Sequence, residues 1–203
     1  MIVVIDSGTG NLHSVVRAFE RIGAAAIVSV SPHQVAKAER IVLPGVGSAR
    51  AAMATLAEHQ LIEPLEQRVR GDCVPFLGIC LGLQLLTRTS EEGEVSGLGW
   101  IAAATVRLRP TDPLQKVPHL GWSDVNIRRS APLFAGVPAG ACFYFAHSYA
   151  VRCDDETSIA AEAEYGMRFA AAVQQGNVFG VQFHPEKSQA HGLQVLRNFV
   201  DCC

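Results

Sequence analysis

The sequence lacks most of the features that would classify it at a glance. Its longest apolar run, residues 74–86, is too short to cross a bilayer and contains Gln84. Charge is sparse and nearly balanced, with 17 Lys and Arg against 19 Asp and Glu. That leaves no basic footprint for gripping nucleic acid through its phosphates. The six cysteines are Cys73, Cys80, Cys142, Cys153, Cys202 and Cys203; none forms a CxxC pair and none stands at zinc-ligand spacing from a histidine. Most of them read as reduced, small, buried hydrophobes. There is no P-loop, and GTGNLH (8–13) lacks the third glycine of a dinucleotide fingerprint. No metal, nucleotide or flavin cofactor is expected. The start, MIVVIDSGTG, has neither the charged region nor the long apolar region of a signal peptide. The expectation is a soluble, cytoplasmic chain.

What is present is core. Hydrophobic residues make up 49% of the 203 positions, enough for one sizeable domain over residues 1–203. MIVVID reads as a strand that leaves the core at Asp6. NLHSVVRAFERIG reads as a helix, with Leu12, Val15, Val16 and Phe19 at helical spacing, Asn11 as its cap and Gly23 at its end. AAIVSV is a second strand, closed by SPHQ, and RIVLPGVG a third. SARAAMATLAEHQL and IEPLEQRVR read as helices, VPFLGI as a fourth strand and LGLQLLTRT as a helix. The strands are almost wholly apolar, as strands covered on both faces are. Alternating strand and helix of this kind predict an α/β fold, an open and mostly parallel sheet flanked by helices. From about residue 100 to 183 the pattern changes. IAAATVRLR, SDVNIR, CFYFAHSYAV, SIAAEAEY, RFAAAVQQ and VFGVQFH predict an antiparallel extension, and AHGLQVLRNFV a closing helix.

Three stretches carry chemistry. The first is PFLGICLGLQLL (75–86), where Gly78 and Gly82 flank Cys80 at a strand-to-helix junction. This is the cysteine form of the nucleophile elbow: small neighbours let strand and helix approach, and the tight turn presents the thiol beyond the strand's carboxyl end. The turn would also aim the N–H groups opening the next helix at the sulfur. A structural cysteine beside a glycine-rich turn has the same local pattern. The second is GVQFHPEKS (180–188). In an extended segment His184 and Glu186 would project to one side, and a cysteine nucleophile needs a base that a third group orients. Among the other histidines, His147 is the best rival base, but no carboxylate lies near it in sequence. The third is VLPGVGS (42–48), whose glycine-flanked backbone can turn an N–H toward an oxyanion.

Together, PGVGS, LGICLGLQLL and GVQFHPEKS resemble the class I glutamine amidotransferases, in order and spacing, across nearly the whole chain. DSGTGNLHSV (6–15), KVPHLGWSDV (116–125) and CFYFAHSYAV (142–151) are similar, within that family, to glutaminase subunits of imidazole glycerol phosphate synthase. The resemblance implies a flavodoxin-like amidotransferase fold and hydrolysis of glutamine to glutamate and ammonia. It implies Cys80 as nucleophile with His184 and Glu186 as partners, and an oxyanion hole formed around Val46, Gly47 and Leu81. It implies a glutamine pocket lined by Gly47, Gln84, Ser148 and Tyr149. Asn11, Trp122, Tyr144 and Lys187 match positions at or near a partner, which in the resembled system is a (β/α)₈-barrel cyclase that uses the ammonia in histidine biosynthesis. Because the chain holds only the glutaminase module, that cyclase is expected on a separate polypeptide. The chain departs from the pattern at Ser7, where the family often has an aromatic, and at Ser123, where GWN is usual. Both lie in segments tied to the partner, so both bear on partner contact. Two other readings stay open: an amidotransferase serving another synthase, of the anthranilate or aminodeoxychorismate type, and a stand-alone cysteine hydrolase.

Overall fold

A computed structural model describes every residue of the chain except Thr9, Pro113, Arg129, Ser130 and Cys202. The N-terminal part alternates as the pattern predicts: β1 (Ile2–Ile5), α1 (Leu12–Arg21), β2 (Ala26–Ser29), α2 (Pro32–Ala36), β3 (Arg40–Gly45), α3 (Ala49–Glu58), α4 (Ile62–Glu66) with a π-helical turn at Gln67–Gly71, β4 (Phe76–Cys80) and α5 (Leu81–Gln84). The rest is mostly strand: β5 (Thr89–Ser90), β6 (Val95–Ser96), β7 (Ala103–Arg107), β8 (His119–Asp124), β9 (Asn126–Ile127), β10 (Cys142–His147), β11 (Tyr149–Cys153), β12 (Ile159–Glu164), β13 (Arg168–Gln175) and β14 (Val178–Val181), closed by α6 (Gln189–Asp201).

β2, β1, β3 and β4 lie side by side and parallel, in the doubly wound order of flavodoxin-like sheets. The next strand, β14, comes from near the chain's end, yet it too is parallel to β4, in the register Val181↔Ile79. β13, β11, β7, β5 and β6 continue the sheet, with β12 and β9 branching from β13. β8 and β10 form a separate antiparallel ribbon with Trp122 opposite Tyr144 and His119 opposite His147.

Strand period and burial agree. Along β1, Ile2 and Val4 pack on the side covered by α1 and α6, with Phe19, Val195 and Phe199. Val3 and Ile5 pack on the side covered by α3 and α4, with Leu56 and Leu65. A strand buried on both faces has no polar alternation to keep.

Four expectations need correcting. LGLQLLTRT does not form a long helix: α5 is a single turn. Its last carbonyls are taken by other groups, Gln84 O by the hydroxyls of Thr87 (2.8 Å) and Thr105 (3.2 Å), and Leu85 O by the Leu98 N–H (2.7 Å). SPHQ is not only a turn: Pro32 starts α2, as a proline can at a first helical position. SDVNIR begins too late, because the strand already starts at His119. Most of the cysteines are not buried either. Cys80 is; Cys73 is exposed, and Cys142, Cys153 and Cys203 are partly exposed, while Cys202 lies outside the described residues.

Among the glycines, Gly82 in α5 has the least room for a side chain. A Cβ on Gly82 would stand 1.7 Å from the carbonyl oxygen of Leu43 on β3. Alanine is otherwise the better helix former by about 1 kcal/mol. Gly82→Ala therefore tests the contact with opposed signs. Urea unfolding of the variant is expected to show a loss of about 2–3 kcal/mol, the scale of overpacking. A neutral or stabilised variant would contradict the close approach.

Candidate active site

Cys80 ends β4 at φ 55°, ψ −104°, a conformation non-glycine residues avoid. The packing around it enforces this. A Cβ on Gly78 would meet the Gly82 carbonyl at 2.6 Å, so β4 and α5 approach more closely than any side chain allows. The predicted elbow is therefore present, although the helix behind it is one turn long and contributes local N–H groups rather than a long dipole. Cys80 is 5% exposed.

The parallel pairing of β14 with β4 carries the residues after Val181 alongside Cys80. His184 and Glu186 do meet, but not in an extended segment. Pro185–Lys187 is a 3₁₀ turn, and through it Glu186 Oε1 comes 2.9 Å from His184 Nδ1, with both side chains almost fully buried. The histidine backbone is pinned to β10. Its N–H donates to Tyr144 O (2.8 Å), and its carbonyl accepts from Ser188 Oγ (2.6 Å), which itself accepts from the Tyr144 N–H (3.0 Å).

With Nδ1 on the carboxylate, Nε2 is the nitrogen left for proton exchange. It is buried and makes no aligned hydrogen bond among the described residues. The Cys80 sulfur lies 3.9 Å from Ala146 O and 3.6 Å from Gln182 Nε2. Burial alone would lower the proton affinity of His184. Cys80 and Glu186 outweigh it and push the pKa up to about 10.

Cys80 opens into a cavity of about 230 Å³ whose wall includes Val46, Gly47, Leu81, Gln84, Ser148 and Tyr149. The structure thus gathers every residue expected for the oxyanion hole and the pocket. Gly47, at φ +93°, leaves the Val46–Gly47 peptide free of the steric limits of an L side chain.

Two wall or support residues were missed. Glu92 enters the same wall, where burial pushes its carboxyl above the ordinary carboxylate range against a hydrogen bond from the Ala49 N–H (3.0 Å). In sequence it sits in SEEGEV and reads as a solvated turn. Gln182 is fully buried and donates toward the thiol; only its place two residues before His184 hinted at a role. His147, the rival base, lines the cavity but is held by His119 and the Tyr149 carbonyl, with no carboxylate hydrogen-bonded to it.

The residues expected at a partner surface are contiguous. Trp122 is 47% exposed and meets the Tyr144 ring edge-on at 5.9 Å. Lys187 Nζ lies 5.6 Å from the centre of that ring. Asn11 is exposed, caps α1 by accepting from the Ser14 N–H (3.3 Å), and shares a small cavity with Val46, His184 and Lys187. The departures at Ser7 and Ser123 turn inward instead. Ser7 is buried against Pro44 O (3.4 Å), and Ser123 Oγ is bonded to His119 (2.9 Å).

A family model described as class I glutamine amidotransferase matches residues 3–202. The imidazole glycerol phosphate synthase subunit HisH of Syntrophotalea carbinolica is 48% identical, over 99% of this chain and 100% of its own length. The HisH subunit of Moorella thermoacetica is also 48% identical, over 98% of this chain and 93% of its own. Among solved structures, one described as a glutamine amidotransferase aligns with a TM-score of 0.78 at 18% identity, covering 99% of this chain and 98% of that one. PurLQS from Thermotoga maritima aligns with a TM-score of 0.77 at 18% identity, covering 98% and 97%. At such identities these structures speak to the fold alone.

The ion pair has a pH signature. A histidine whose folded pKa is raised stabilises the fold fully below its unfolded value near 6.5, and that stability is lost as pH climbs toward about 10. The His184 resonances should titrate well above the ordinary histidine range in the wild type. In Glu186→Gln the midpoint should fall, and the stability gap between the two proteins should shrink from pH 6.5 upward. An unchanged midpoint in Glu186→Gln would contradict the pairing.

Proposed function

The chain belongs to the class I glutamine amidotransferases, and within them to the HisH glutaminase subunits of imidazole glycerol phosphate synthase; from that premise we propose how its residues carry out the reaction. It works in histidine biosynthesis as a single amidotransferase domain over residues 1–203, in the cytoplasm, where a nucleophilic thiol persists. No helix among the described residues is long and apolar enough to cross a membrane.

The observation that carries the reading is the register of β14 on β4, which brings the His184–Glu186 pair alongside Cys80, itself in the wall of a cavity. Cys80 attacks the side-chain carboxamide carbon of glutamine and yields its proton to His184, whose raised proton affinity favours the transfer. The tetrahedral oxyanion is met by the Leu81 N–H and by the Val46–Gly47 peptide. His184 passes the proton to the leaving nitrogen, so ammonia departs and a glutamyl thioester remains. Water, deprotonated by His184, attacks the thioester carbon; glutamate leaves and the thiol is restored. Gln84, Ser148 and Tyr149 hold the rest of the substrate, and the Glu92 carboxylate suits its α-ammonium group.

The ammonia goes to a (β/α)₈-barrel cyclase on a separate chain. The cluster of exposed Trp122, Lys187 and Asn11 around the half-buried Tyr144, with Leu120 at 63% and Val46 at 43% exposure, supports docking on this side of the site. Because Val46 is both exposed and part of the oxyanion loop, contact there can set whether its peptide faces the cavity. Losing one oxyanion donor costs about 10²–10³ in rate, which is enough for a gate.

Glutamate release from glutamine should be slow for the purified chain alone. It should rise at least about 10²-fold with the cyclase subunit and its nucleotide substrate. Equal rates in both would mean a stand-alone hydrolase. In the complex, Cys80→Ala should abolish synthesis from glutamine and spare synthesis from ammonium salts. Loss of both, with the complex intact, would refute the assignment of Cys80.

A further inference from the structure

The ribbon of β8 and β10 turns two histidines inward, and one of them, His147, lines the cavity beside Cys80. His119 is 2% and His147 5% exposed, and they stand opposite each other in the ribbon. His119 is sandwiched between Phe145 (4.9 Å, 19°) and Tyr165 (4.1 Å, 18°), and the Phe169 ring meets His147 edge-on at 5.0 Å. Neither ring is a member of the triad. What each nitrogen does follows from its neighbours.

A backbone carbonyl only accepts. His147 Nδ1, 2.7 Å from Tyr149 O, must therefore carry the hydrogen. Burial pushes the pKa of His147 down to about 3, and that of His119 down to about 4; the Tyr149 carbonyl opposes the shift at His147, and His119 and His184 reinforce it. Both rings are uncharged at neutral pH, so His147 Nε2 is an acceptor. His119 Nδ1, 3.0 Å away, must then be the donor to it. That leaves His119 Nε2 as an acceptor, and Ser123 Oγ donates to it at 2.9 Å. Gly121 stands between His119 and Ser123 on the inner side of β8, with no side chain to block the way.

The order continues past the rings. Tyr149 O accepts a second hydrogen, from Gln84 Nε2 at 2.9 Å. The other hydrogen of that nitrogen goes to Gln182 Oε1 at 3.1 Å, and Gln182 Nε2 then faces Cys80 Sγ at 3.6 Å. Reversing any one link sets a donor against a donor or an acceptor against an acceptor in a buried site, which is costly.

We infer that Ser123, His119 and His147 form a positioning relay that holds the Tyr149 carbonyl in place: that carbonyl, which can only accept, sets the direction of the hydrogen bonds on both its sides, the ring tautomers on one and the Gln84 and Gln182 amides on the other, so that Gln182 offers its N–H to the nucleophile. Ser123 and His119 do not line the cavity, yet they determine how well it holds glutamine. Ser123 also neighbours the exposed Trp122 in β8, so the relay begins beside the docking cluster. The inference rests on the cavity being the glutamine site, but its first test does not.

That first test is the protonation pattern. In the full-length chain labelled with ¹⁵N-histidine, long-range ¹H–¹⁵N spectra should show His119 and His147 both protonated at Nδ1, the less common tautomer of a free imidazole in water. A proton on Nε2 of either ring would overturn the relay. The second test is the KM for glutamine in the assembled complex. His119→Phe keeps the aromatic stack and ends the donor. His119→Asn loses the stack but places an amide N–H where Nδ1 stood. His119→Phe should raise KM about tenfold while kcat changes little, and His119→Asn should return KM most of the way. Ser123→Ala should raise KM in the same direction. The reverse order, with Phe nearer wild type than Asn, would mean that His119 is only packing and would overturn the inference. If the wild-type complex releases no glutamate, the glutaminase reading fails instead, and the ring tautomers alone decide the relay.

Discussion

The site depends on one steric constraint, the contact of α5 with the neighbouring strands. With Gly82 against the Leu43 carbonyl and Gly78 against the Gly82 carbonyl, no side chain fits at either place. The chain can make the turn only if the residue between them takes φ 55°, and that residue is Cys80. Strain of this kind costs on the order of 1–3 kcal/mol and persists only where surrounding packing imposes it. Here the apolar β3 and β4, buried on both faces, supply the packing.

The turn fixes the thiol, and the other groups arrive from the strands on either side. β3 delivers Val46 and Gly47 just beyond its end, and β14 delivers His184 and Glu186 beyond its own. The antiparallel half serves the site as well. β10 holds the His184 backbone, and the start of β11 gives the cavity Tyr149, whose carbonyl braces Gln84. A sheet that is parallel at its centre and antiparallel beyond therefore works as one frame.

Much of this was readable because it is local. Glycines two residues either side of a cysteine specify a tight turn wherever it occurs, and the apolar strands specify a covered sheet. The His184–Glu186 pair was readable in its residue types but not in its geometry: Pro185 suits a 3₁₀ turn as well as an extended segment, and the contacts with Tyr144 and Ser188 choose between them. The length of α5 was not readable, since the groups that take its carbonyls, Thr105 and Leu98, come from further along the chain. Glu92 and Gln182 were missed for the same reason. His147 looked like a rival base until its cross-strand partner was known, and His119 lies 28 positions away. The side-chain directions of Ser7 and Ser123 were not readable either, because the groups they meet, Pro44 O and His119, are fixed only by the folded chain.

In the proposed reaction it is the fold, and not exposure, that selects Cys80 as the nucleophile. Among the described cysteines it is the buried one, while Cys73 is exposed. The most direct measurement is peptide mapping by mass spectrometry after treatment with an electrophilic analogue of glutamine, with and without glutamine as competitor. Modification of the peptide carrying Cys80 alone, prevented by glutamine, is expected, although a simple alkylating agent should reach the exposed Cys73 first. Modification that follows exposure, with Cys73 taken before Cys80 and glutamine giving no protection, would contradict it.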